Sequence, residues 1–133
     1  MLKTRKFAIA FFGWMAFVTW ASLSTFPDDD MPGINIPNFD KVVHFCFYFG
    51  AAVLGTFFIR ETTHGKSSLV RTLIFVALGA IIFGIIIEVL QYSFTLDRQG
   101  DPLDALANSC GAIMGVLAMN WLFSRPKGLK WKN

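Results

Sequence analysis

The chain has 133 residues, 54% of them hydrophobic and 16% charged, with a formal charge of +3. Soluble domains carry about a quarter charged residues, so this composition excludes a water-exposed globular fold, and the length allows a single domain. The positive balance does not indicate nucleic acid, because Lys and Arg gather at the ends of apolar runs and form no stripe.

Phe7 to Phe26 is a run of twenty uncharged residues, long enough to cross a hydrocarbon core of about 30 Å at about 1.5 Å per residue. Lys3, Arg5 and Lys6 before it and Ala21, Ser22 and Ser24 near its end have the look of a signal peptide, but the run is read as a retained first span. The segment that follows, Pro27 to Lys41, is rich in Pro and Asp and reads as an irregular acidic loop. Val42 to Ile59 is the second span, bounded by Asp40 and Lys41 at one end and by Arg60 and Glu61 at the other. Thr72 to Leu96 is the third, longer than a bilayer needs and therefore expected to tilt or protrude. Pro102 to Phe123 is the fourth. These elements make an all-α membrane protein, a bundle of four transmembrane helices in one domain. Trp14, Trp20, Trp121 and Trp131 are candidate interfacial anchors, although Trp14 lies deeper than a belt residue should. The C-terminal Lys and Arg residues with Trp131 read as a topology and headgroup anchor.

Three Lys or Arg residues precede the first span, Arg60, Lys66 and Arg71 separate the second from the third, and Arg125, Lys127, Lys130 and Lys132 follow the fourth. The other two connections hold only Lys41 and Arg98. A bias of ten against two implies that both termini are cytoplasmic and that the Asp97 to Asp101 loop faces outward, in a bacterial-type inner membrane.

With that topology the polar residues inside the spans are unevenly distributed. His44 begins the second helix, Asp104 and Asn108 begin the fourth, and Glu88 and Gln91 end the third, all within roughly 12 Å of the outer boundary. Each group shares a helical face with small or polar residues: Tyr48, Ala51 and Gly55 with His44; Gly84 and Thr95 with Glu88; Gly111 and Gly115 with Asp104 and Asn108. Small residues allow close approach on the inner side while the polar groups meet above them. Facing lipid would cost each polar group several kcal/mol, so one outward-opening polar pocket is expected. The Gly111-x-x-x-Gly115 pair is expected to pack within the monomer.

The ordered set Asp40-Lys41-x-x-His44-x-x-x-Tyr48, Glu88-x-x-Gln91 and Arg98-x-x-Asp101-x-x-Asp104-x-x-x-Asn108-x-x-Gly111-x-x-x-Gly115 resembles the VanZ-like membrane proteins. The resemblance covers about eighty residues and leaves the first span and both tails matched by hydropathy alone. Asp101 stands where many members carry a small hydroxyl residue. The resemblance implies a fold and a membrane location, and a family whose founder is associated with low-level glycopeptide (teicoplanin) resistance.

Glu88 is the most informative residue, because a carboxylate at that depth must be paired, hydrated or protonated; pocket chemistry and interhelical pairing both answer it. His44 offers a switchable charge, and with no second histidine nearby no metal is indicated. Asp101 before Pro102 reads as an N-cap, Asp104 complements the dipole of the same helix, and Asp40 is a candidate cap for the second span. Arg98 offers a planar fork for phosphate or carboxylate, or a bridge to Asp101 or Glu88.

Cys46 and Cys110 lie in apolar runs without CxxC spacing, no nucleophile or phosphate-loop motif accompanies the pocket, and no cofactor is implied. The leading expectation is a protein without an established catalytic motif that recognises an anionic lipid-linked or cell-wall headgroup. In it Lys41, His44 and Arg98 supply positive charge, and Glu88, Gln91, Asp104 and Asn108 complete the hydrogen bonding. Two alternatives stay open: a membrane-embedded enzyme using His44 and Glu88 as acid and base, and a small structural subunit of a larger membrane or secretion complex, with membrane-protein partners. Membrane lipid is a partner in every case.

Overall fold

The computed structural model describes residues 5–24, 37–94 and 101–132. These form four helices, α1 (Lys6–Leu23), α2 (Phe39–Thr63), α3 (Leu69–Phe94) and α4 (Pro102–Ser124), with no strand among the described residues. All four are long and apolar enough to cross a membrane. The acidic loop at 27–36, the end of the expected first span, the last two residues of the third, and Arg98 lie outside the described residues.

Local chemistry sets several helix ends. Asp101 is the N-cap of α4, its side chain accepting from the Leu103 N–H at 2.8 Å, with Pro102 as the first helical residue. α2 begins earlier than the apolar run suggests, which corrects the expected cap: Asn38, in the left-handed region (φ 61°), holds that position without a side-chain cap bond, and Asp40 lies inside the first turn. There it complements the helix dipole. The α2–α3 turn passes through His64 (φ 50°) and Gly65 (φ 68°), and the Gly65 N–H returns to the Arg60 carbonyl at 3.0 Å.

α2 is central: it touches all three other helices, most extensively α4. A Cβ at Gly111 would collide with the Phe45 carbonyl, and one at Gly115 would lie 2.7 Å from the Ala52 Cβ and 2.9 Å from the Phe49 carbonyl oxygen. The two glycines therefore set the distance between α2 and α4, and Ala52 and Ala112 are fully buried beside them. α1 is clipped to α2 at its N-terminal turn and near its middle. The Phe7 and Ala8 N–H groups, orphans of the first turn, donate to the Glu61 carboxylate at 3.3 and 2.9 Å, and Trp14 Nε1 donates to the Phe47 carbonyl at 2.9 Å. Trp14 is thus an interhelical contact, which accounts for its depth.

Trp131 also departs from the expected interfacial role. It is 7% exposed, its ring meets Phe123 edge-on, and its indole donates to the Ser67 carbonyl at 2.7 Å. Arg60 donates to the carbonyls of Trp131 and Lys130, so the C-terminal segment folds back over the α2–α3 turn. A Cβ at Gly65 would strike the Trp131 carbonyl there. Trp20 and Trp121 remain on the surface, as anchors would.

The outer faces of α3 and α4 expose Phe75, Leu78, Ile82, Ile86, Leu106, Leu117 and Trp121. Such continuous apolar faces are tolerable against lipid and not against water. Gly111→Ala is expected to lower stability by about 1–3 kcal/mol through overpacking, whereas Gly79→Ala, with open space around it, leaves it unchanged. Detergent-based unfolding of the two variants measures the difference.

Candidate functional site

The N-terminal turns of α2 and α4 and the C-terminal part of α3 converge at one end of the bundle. The outermost group is Lys41, whose Nζ contacts Asp101 Oδ2 at 2.9 Å, Asp40 Oδ2 at 3.1 Å and Asp104 Oδ1 at 3.1 Å. The Asp101 carboxyl is held below the ordinary carboxylate range by the hydrogen bond from Lys41 and then by that from the Leu103 N–H.

One turn deeper, His44 Nδ1 lies 3.0 Å from Asn108 Oδ1, and Asn108 Nδ2 donates to Glu88 Oε1 at 3.3 Å. Because the amide gives its N–H to Glu88, its oxygen is left to accept from His44 Nδ1. The other ring nitrogen, Nε2, then faces Asp104 Oδ2 at 3.7 Å, too far for a hydrogen bond. His44, Glu88 and Asn108 are buried. Three helices thus contribute to one polar cluster, with Lys41 at the rim and Glu88 inside.

Two buried polar atoms in this region have no hydrogen-bond partner among the described residues, Glu88 Oε2 and the Tyr48 hydroxyl. Tyr48 lies beneath the cluster, 1% exposed, its ring against Phe83. Gly84 makes room for it: a Cβ there would lie 3.1 Å from Tyr48 Cε1 and 3.3 Å from Asn108 Cβ.

The structure therefore brings together Lys41, His44, Glu88, Asp104 and Asn108, with Asp40 and Asp101 at the rim and Tyr48, Gly84 and Gly111 below. Gln91 goes elsewhere. Its Nε2 donates to the Ser22 carbonyl near the end of α1 at 2.6 Å, so it ties α3 to α1. Ser22 was not legible as a partner, because a backbone carbonyl leaves no mark in the residue types. The balance of charge also differs from a simple anion receptor. Among the described residues four carboxylates, Asp40, Glu88, Asp101 and Asp104, face one lysine and one histidine, and the Lys41 ammonium already has three acidic partners.

Among known proteins, the family described as VanZ/LLP1 matches residues 3–123, a range that takes in the first span as well as the polar motif. No curated protein and no solved structure matches the chain.

Asn108→Ala strands the His44 N–H and a Glu88 oxygen in a buried site and is expected to cost about 1–3 kcal/mol in detergent unfolding. For Asp101, a depressed carboxyl contributes stability that is present above its unfolded value of about 3.9 and is lost as pH falls through the folded value. Wild type and Asp101→Asn should accordingly differ in unfolding midpoint at neutral pH and converge below about pH 4.

Proposed function

We propose, for a chain that belongs to the VanZ/LLP1 family, a multi-pass membrane protein that receives the headgroup of an envelope lipid or lipid-linked cell-wall intermediate at the polar end of its bundle. The observation that carries this reading is the incomplete hydrogen bonding of the cluster. Glu88 Oε2 and the Tyr48 hydroxyl are buried without a described partner, and such atoms are rare unless something outside the chain completes them. A headgroup bearing hydroxyls and phosphate supplies both a donor for the carboxylate and an acceptor for the phenol.

The positive charge facing the phosphate comes from the rim. Lys41 keeps 21% of its side chain exposed and exchanges one of its three carboxylates for the ligand, and Arg98, three positions before Asp101 in the sequence, offers a bidentate fork. The distribution of Lys and Arg supports an outward-facing cluster with both termini in the cytoplasm of a bacterial cell. A protein occupying such headgroups at the outer leaflet would alter what a glycopeptide meets at the cell surface, which links the reading to resistance.

A second reading is favoured by the His44–Asn108–Glu88 chain itself, which holds three helices together and would suffice for a purely structural lock. Lipid analysis of protein purified in mild detergent separates the two. Headgroup binding predicts retained phosphate-bearing lipid that is lost in Glu88→Gln and Arg98→Ala while the helical content stays unchanged. If wild type retains none, or both variants retain as much, the headgroup reading fails and the lock remains. Topology is checked by Asp29→Cys in a chain lacking Cys46 and Cys110: labelling by an impermeant reagent in intact cells is expected, and labelling only after lysis would overturn the outward orientation.

A further inference from the structure

We infer that His44, Glu88 and Asp104 form a binding site for one divalent metal ion, Zn²⁺ or Mn²⁺. One ligand atom from each of the three side chains lies within 4.8 Å of the others, and the three residues come from three different helices. Ligands about 2.0–2.2 Å from a common centre stand roughly 3–4 Å apart; His44 Nε2 and Asp104 Oδ2, 3.7 Å apart, fall in that interval, while Glu88 approaches the same ring from its other side, with Oε1 3.8 Å from Nδ1.

The stronger argument is the way each side chain is held. The Asn108 amide oxygen accepts from His44 Nδ1 and its Nδ2 donates to Glu88 Oε1, while Lys41 donates to Asp104 Oδ1. One atom of every ligand is thus engaged by a neighbour that fixes its orientation, as the groups behind metal ligands commonly do. What remains is one further atom on each: the lone pair of His44 Nε2, Asp104 Oδ2 and Glu88 Oε2. The last is buried and has no partner among the described residues, and Glu88 as a whole is 9% exposed. A cation placed between His44 Nε2 and Asp104 Oδ2 would be attracted to both.

The donor set limits the ion. A single imidazole with two carboxylates suits Zn²⁺ or Mn²⁺, whereas Mg²⁺ and Ca²⁺ take oxygen ligands. Three protein ligands leave coordination positions open to water or to another ligand. The rim trio of Asp40, Asp101 and Asp104 is also close enough to hold an ion, but the Lys41 ammonium contacts all three carboxylates and takes that role. Histidine spacing in the sequence hides the inner site, because its other two ligands come from helices 44 and 60 positions away. The inference stands without the headgroup reading, since it concerns the ion alone.

The test uses the full chain in detergent, stripped by chelator and free of added lipid, titrated with Mn²⁺ and separately with Zn²⁺. One ion per chain is expected. Bound Mn²⁺ should show coupling to a single imidazole nitrogen by pulsed paramagnetic resonance, a signature read on wild type alone. Glu88→Gln and His44→Gln should each weaken binding at least tenfold, Glu61→Gln at the opposite end of the bundle should leave it unchanged, and the thermal shift on metal addition should vanish in Glu88→Gln. The proposal is overturned if neither ion binds, if bound Mn²⁺ shows no nitrogen coupling, or if Glu88→Gln, shown helical by circular dichroism, binds as wild type does.

Discussion

The contact on which the rest depends is the close apposition of α2 and α4. Helices carrying ordinary side chains at their contact stand some 8–10 Å apart, but at Gly111 and Gly115 the backbone of α4 lies against that of Phe45 and Phe49, with no room for a Cβ. His44 immediately precedes Phe45, and Asn108 is one turn before Gly111. The 3.0 Å contact between them is the polar continuation of the glycine contact. Gly84 does the same for α3, admitting Tyr48 and Asn108 beside its backbone so that Glu88, one turn on, meets the Asn108 amide.

This arrangement reconciles a membrane-type exterior with an acid-rich interior. Hydrocarbon offers no hydrogen bonds, so polar groups inside the spans must find each other. At the rim, where the side chains are partly exposed, one ammonium bridges three carboxylates. Inside, the balance is left to a histidine, an amide and a carboxylate, and one carboxylate oxygen is left over. An excess of acid around a histidine held by an amide is a poor receptor for a bare anion. It is a better receptor for a cation, for a donor-rich headgroup, or for a phosphate that arrives with a counter-charge. The opposite end of the bundle is closed differently: Glu61 caps α1, and the Trp131 segment is strapped over the α2–α3 turn.

Much of this was legible beforehand. The spans and the cap at Asp101 follow from hydropathy, length and the Asp-Pro pair, all local properties. That His44, Glu88, Asp104 and Asn108 share one level and face inward follows from 3.6-residue periodicity and the cost of polar groups in lipid. The residues that misled did so for local reasons. Asp40 resembles a cap because it borders the apolar run, but the helix extends beyond that run to Asn38. Trp131 sits among lysines as an anchor would, yet Arg60 and Ser67 draw it into the fold.

The sequence by itself determined the number of helices, their apolar exteriors and the level at which the polar residues lie, because burial in lipid acts on each segment separately and adds up along it. Only the tertiary structure decided which atoms meet: Gln91 with the Ser22 carbonyl, Lys41 with three acids, and His44 with an amide 64 residues away. Those choices turn on ångström differences in helix rotation and separation. The packing of three glycines against neighbouring helices sets them, and no property of any one helix records the result.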